Sequence, residues 1–329
     1  MSGLAEKEIA ISAAADRRRG WLDAGGFVAA LTALNLAYAL AHAAGAHPVA
    51  FLVYAMLIAA VSLLLITGPG PDWLAVIRHP LSWVVGTGII GMEAAYFMLL
   101  LYVTPAEGSV LNRINLPVSI LAGWLLFGRR NSVTSLLGIG LVCMAVTLYA
   151  TTIPPQSVGM ALLLGSLCAL ISVTRNFSAE FHPWNRKARD VIEKMRVTGL
   201  VLLVTALAGT AIVAGLMALV YSGILAPTRG IPGPADFLHA PTLALSAFMG
   251  LFVLTAMQYF GFSAVVRIGT ERFIAAGSIV PVSTLVVQNL AALAGWLQHA
   301  IVDGRFVAIM LAVIIGVLVY IAGNRHQQP

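Results

Sequence analysis

The sequence predicts an all-α polytopic membrane protein, with ten transmembrane helices arranged as two inverted five-helix repeats. Three observations predict it. The chain is 60% hydrophobic and only 10% charged over 329 residues, with mean hydropathy +0.93, which leaves too few polar side chains to cover a water-facing globule. Its apolar residues fall into ten runs of membrane length. It also repeats itself: setting Pro117 on Pro281 puts Glu107 on Glu271 and superimposes Pro117-Val118-Ser119 on Pro281-Val282-Ser283 without gaps.

Taken in order, a polar tail of residues 1–22 carries Arg17-Arg18-Arg19 and leads into the first run, 25–45. Arg18-Arg19-Gly20-Trp21-Leu22 is twin-arginine-like and Ala41-His42-Ala43 has the form of a cleavage site. The run is too long for a signal sequence, however, and another membrane-length run follows at once, so no cleavage is expected. The remaining runs are 49–67, 81–103, 106–127, 133–151, 158–178, 197–222, 242–266, 273–297 and 305–323. Short connections favour antiparallel neighbours. The widest gaps are the basic stretch Phe181–Lys194 and the Pro- and Gly-rich stretch Ala226–Pro241.

The Glu107/Glu271 match joins the fourth run to the ninth, so the repeat unit is five runs long. Five is odd, and the second copy must enter the bilayer from the opposite side. The expected units are residues 23–152 and 153–323, with a short C-terminal tail, 324–329. Cationic residues then fix orientation. With the N-terminus cytoplasmic, 15 Lys and Arg residues fall on that side, only Arg229 and Arg305 fall outside, and Arg113 and Arg175 lie within runs. Both termini are therefore expected in the cytoplasm, in a bacterial-type inner membrane. The same dispersal over short loops argues against nucleic-acid binding despite the net charge of +6.

The ends of the fourth and ninth runs, Pro117-Val118-Ser119 through Leu125-Leu126-Phe127-Gly128-Arg129 and Pro281-Val282-Ser283 through Trp296, carry a resemblance, as does the glycine-led fifth run, Gly138-Ile139-Gly140-Leu141-Val142. Over nearly its whole length the chain resembles the drug/metabolite transporter superfamily with two EamA-type domains. The resemblance implies a ten-helix carrier with a cavity lined by helices 1, 3, 4, 6, 8 and 9. One departure is that the family commonly has a Glu before the Arg that closes helix 4, where this chain reads Gly128-Arg129-Arg130.

The candidate binding residues follow from charge at depth. Arg113 lies roughly 13 Å into the fourth run, near the midplane, and cannot shed its proton. Glu93 lies at similar depth in the third run, so an ion pair between the two is geometrically reasonable. Either the pair only fixes packing, or Arg113 meets an anionic or zwitterionic solute while Glu93 serves as counter-charge or proton acceptor. Asn112 and Asn115 flank Arg113; Tyr96, Gln258, Tyr259 and Asn289 are further candidates for lining a substrate site. Tyr38, Tyr54, Phe97 and Phe260 read more readily as core. Pro117 and Pro281 each remove a hydrogen bond to the residue four before and mark matching hinge or kink positions. Glu107 and Glu271 read as first-turn residues that stabilise helix N-termini, and Arg175 as a snorkelling side chain.

Several motifs carry no chemistry. Gly86-Thr87-Gly88-Ile89-Ile90-Gly91 has dinucleotide-loop spacing but lies within a membrane run, where it signals close packing. The seven histidines lack metal-ligand spacing, Cys143 and Cys168 sit in apolar runs, and Asn176-Phe177-Ser178 is a sequon on the cytoplasmic side. There is no nucleotide-hydrolysis motif and no converging nucleophile set, so the expectation is a non-enzymatic efflux carrier without metal or cofactor. It would move an amino acid, related metabolite or drug by alternating access, through the bilayer and with a small-molecule solute as partner. A coupling proton and a homodimeric state are left open. The rivals are a flippase for a lipid-linked group and a non-transporting membrane component.

Overall fold

The structure, a computed structural model, describes residues 2–128, 130–188, 190–226, 230–268, 270–297 and 303–324; the side chains of 2–14, 270, 271, 275 and 324 also lie outside the described residues. Arg129, Arg189, Arg229, the Glu271 side chain and the tail from 325 onward are therefore outside it. The described chain is helical throughout: α1 (Ser2–Ala43), α2 (Pro48–Thr67), α3 (Trp73–Arg78), α4 (Pro80–Leu99), α5 (Pro105–Leu111), a 3-10 turn (Asn112–Ile114), α6 (Asn115–Phe127), α7 (Val133–Ala150) and α8 (Pro155–Phe181). It continues with α9 (Pro183–Lys187), α10 (Val191–Tyr221), α11 (Pro234–Leu238), α12 (Ala240–Phe248), a π-helical turn (Met249–Leu254), α13 (Thr255–Ile268), α14 (Thr270–Gly277), α15 (Val280–Leu293) and α16 (Gly304–Asn324).

Nine of the described helices are long and apolar enough to cross a bilayer: Ala15–Ala43, Pro48–Thr67, Pro80–Leu99, Pro105–Phe127, Val133–Ala150, Pro155–Phe181, Val191–Tyr221, Ala240–Ile268 and Gly304–Gly323. The chain is thus an all-helical, multi-pass membrane protein. Each of the nine coincides with an expected run, and the polar N-terminal tail continues helically into the first. The ninth run departs from expectation. Instead of one crossing over 273–297, it is split into α14 and the shorter apolar helix α15. Large apolar side chains such as Leu65, Leu126, Leu137, Ile212 and Leu293 face outward, as lipid requires.

Helix starts are written locally. Pro48 and Pro80 open α2 and α4, where a missing N–H costs nothing, and the rings of His47 and His79 accept from the N–H groups of Val49 and Leu81. Gly128 ends α6 in the left-handed conformation at φ 62°. The main packing pairs are α1 with α13, α4 with α8, α2 with α10, α7 with α16 and α5 with α15. Helices α7 and α16 touch backbone to backbone: a Cβ on Gly138 would sit 2.5 Å from the Gly316 carbonyl oxygen, so no larger residue fits. The dinucleotide-like glycines serve the same end, with Gly86 against Thr205 and Gly88 against Arg175.

Candidate functional site

The fourth segment enters the membrane through a capping box. The Thr104 hydroxyl accepts from the Glu107 N–H at 3.5 Å, and the Glu107 carboxylate accepts from the Thr104 N–H at 2.7 Å. Glu107 therefore has the structural role its first-turn position suggests. The α-helix then lasts only to Leu111 before tightening into the 3-10 turn that carries Asn112 and Arg113. Pro117 has no N–H to give to the carbonyl of Arg113, four residues earlier, and the tightened turn sits at that missing bond. In the ninth segment Pro281 likewise has none for the carbonyl of Gly277, and there the helix breaks outright between α14 and α15.

The two interruptions meet. The Arg113 Nη2 donates to the Gly277 carbonyl at 2.6 Å, supplying the bond that Pro281 withholds. It also sets a cation at the C-terminal end of α14, where the helix dipole favours one. A short distance along, the Ala106 N–H of α5 donates to the buried Gln288 side chain of α15 at 3.2 Å, capping an orphan donor of the first turn. A polar seam from α1 continues along α15: Thr32 with Ser283 at 2.7 Å, and the Asn35 amide donating to Thr284 at 3.0 Å.

The expected Glu93 to Arg113 ion pair is absent. Glu93, 4% exposed, accepts from the Tyr38 hydroxyl at 2.6 Å, and Tyr38 stacks on Phe97 with ring centroids 4.7 Å apart. Arg113 is instead drawn to the broken ninth segment. The guanidinium that acts electrostatically on Glu93 is Arg175 of α8, which bonds Asn176 on its own helix at 3.2 and 2.9 Å.

Three buried polar atoms on Arg113 and residues around it have no partners among the described residues: the Tyr96 hydroxyl, Asn112 Oδ1 and Arg113 Nε. They share one region of the fourth segment: a Cβ on Gly108 would lie 3.3 Å from the Tyr96 hydroxyl, Asn112 stands one helical turn on from Gly108, its N–H bonded to the Gly108 carbonyl, and Arg113 follows it in the chain. Buried polar atoms are nearly always satisfied, so three orphans on residues of one region are groups free to meet a ligand. The residues around them, from Asn112 to Ser119, are half-buried at mid-segment rather than sealed.

The other expected site residues divide differently. Asn115 is half-buried beside this cluster in sequence, whereas the Asn289 amide is spent on the Leu285 carbonyl of its own helix at 2.8 Å. Gln258 and Tyr259 are half-buried on α13, with Tyr259 ring-to-ring against Phe260 at 5.4 Å, and neither hydrogen-bonds to Arg113. Sequence reasoning missed Thr32, Asn35, Ser283 and Thr284, small polar residues whose i+4 neighbours give no cue that they bond across helices. No group of three His, Cys, Asp or Glu able to hold a metal occurs among the described residues. A separate groove between α2, α4 and α10 is apolar, and its one hydroxyl, Thr210, already donates to the Ala206 carbonyl.

No protein-family model matches the chain, and no curated protein matches it. Fifteen solved chains match by structure. One, described only as the crystal structure of a protein, superimposes with a TM-score of 0.57 at 20% sequence identity, covering 94% of this chain and 99% of that one. The likeness is one of fold.

Proposed function

We propose that the chain is a secondary carrier of the drug/metabolite transporter superfamily, EamA type, which exports a small organic metabolite across an inner membrane by alternating access. Ten segments, five in each inverted half, would rock about the crossing of the fourth and ninth, with both termini in the cytoplasm. The observation that carries this reading is the meeting of two interrupted segments at Arg113 and Gly277, because half-helices broken at the midplane are how carriers expose backbone and charge to a solute. Packing supports it. Moving every segment on by five turns the pair of segments 1 and 8 into 6 and 3, and leaves 2 with 7, 4 with 9 and 5 with 10 unchanged.

The test is counterflow. Purified protein in liposomes preloaded with unlabelled amino acids should accumulate the labelled set transiently, and Arg113→Gln should abolish this while the protein remains folded. Labelled solute that enters no faster than into empty liposomes contradicts the reading and favours a non-transporting membrane component.

A further inference from the structure

We propose that the site beside Arg113 takes a small carboxylate carrying an N–H or O–H donor on the adjacent carbon, an α-amino or α-hydroxy acid, and rejects organic cations; this rests on the carrier reading for the solute's access to the site. A guanidinium has five N–H donors, of which one is used here, by the Gly277 carbonyl. No carboxylate lies within ion-pair distance of Arg113 among the described residues: Glu93 accepts from Tyr38, and Asp23, at the start of the first crossing, pairs with Arg267. A permanent charge at that depth needs an anion, and the planar edge of a guanidinium matches a carboxylate.

The orphan atoms refine the class. Buried Nε of Arg113 and the hydroxyl of Tyr96, a residue 5% exposed, are both donors without an acceptor. Asn112 Oδ1, on the residue preceding Arg113, is an unmet acceptor and requires a donor from the ligand. A plain carboxylate leaves Asn112 unsatisfied, and an organic cation leaves Nε and the hydroxyl unsatisfied while adding like charge. A compact ligand that presents both chemistries satisfies all three, and an α-amino or α-hydroxy acid is the smallest that does.

A matched series of probes separates these cases by binding to the purified full-length protein: L-leucine, 2-hydroxy-4-methylpentanoate, 4-methylpentanoate and 3-methylbutylamine. Either or both of the first two should bind at least about tenfold more tightly than 4-methylpentanoate, the difference between them distinguishing an amino from a hydroxy ligand, and the amine should not bind. Asn112→Leu, of the same branched shape, should erase the advantage over 4-methylpentanoate, and Arg113→Gln should remove binding of every carboxylate. Binding of the amine, binding of none of the four, or discrimination that survives Asn112→Leu overturns the proposal. Discriminating binding of an acid that then shows no counterflow in liposomes preloaded with that same acid would instead strike the carrier reading and leave the ligand class standing.

Discussion

Arg113 and Gly277 occupy the same position in the two copies of the repeated window, 164 residues apart as are Pro117 and Pro281, and they bond to each other: the guanidinium of one donates to the carbonyl of the other at 2.6 Å. Each residue stands four before a proline, so each carbonyl has lost its helical donor. One copy answers the loss with a tightened turn, the other with a break closed from outside by a cation.

A double-mutant cycle tests that account. Arg113→Ala alone should destabilise the protein by about 1–3 kcal/mol, because it orphans a buried carbonyl. Pro281→Ala restores an N–H that reaches Gly277, so in that background the same Arg113→Ala change should cost under about 0.5 kcal/mol. Thermal unfolding in detergent reads both, and equal costs in the two backgrounds would refute the account.

Glu93 depends on Tyr38 as its hydrogen-bond donor. Tyr38→Phe should cost about 1–3 kcal/mol, and Glu93→Leu should make the Tyr38 change nearly silent. Additive losses would show that the hydroxyl does not act through the carboxylate.

At the start of the first crossing, Asp23 accepts from Ser263 at 2.6 Å and pairs with Arg267 at 2.5 Å, tying α1 to α13. Asp23→Asn should lower stability by roughly 2 kcal/mol, and the exchange Asp23→Arg with Arg267→Asp should recover part of it. Failure of the exchange to improve on Asp23→Arg alone would mean the contact is not electrostatic.

His182 lies buried outside the membrane segments, and burial, then the nearby His79, push its pKa down from 6.5 to about 4. The Ser82 hydroxyl is committed to the Val76 carbonyl at 2.5 Å, so the His182 Nε2 donates to Ser82 at 2.8 Å, leaving Nδ1 bare and without a partner among the described residues. Between pH 6.5 and 4 the unfolded chain binds the proton that the folded chain refuses, so stability is constant above this window and falls as pH drops through it. The loss should approach roughly 1–3 kcal/mol, and His182→Gln should flatten it; identical pH profiles for both proteins would refute the assignment.

Much of this was legible in the sequence. Apolar runs marked most long helices to within a few residues; α1 is the largest departure, running back through the polar tail to Ser2, and α10 begins at Val191, ahead of its expected start at 197. The two prolines marked both interruptions. What the sequence concealed was the partner of each buried charge. Glu93 meets a phenol that reads as aromatic core, and Arg113 meets a main-chain carbonyl, which has no side-chain signature at all. Depth alone suggested that the two charges would find each other; the broken ninth segment offered Arg113 a closer acceptor.

The most direct measurement is accessibility at Asn112. With Cys143 and Cys168 replaced by serine, Asn112→Cys should react with a membrane-impermeant thiol reagent applied from either face of oriented vesicles, because alternating access opens that position to each side in turn. Labelling from one face only, or from neither, would contradict a carrier whose solute passes Arg113.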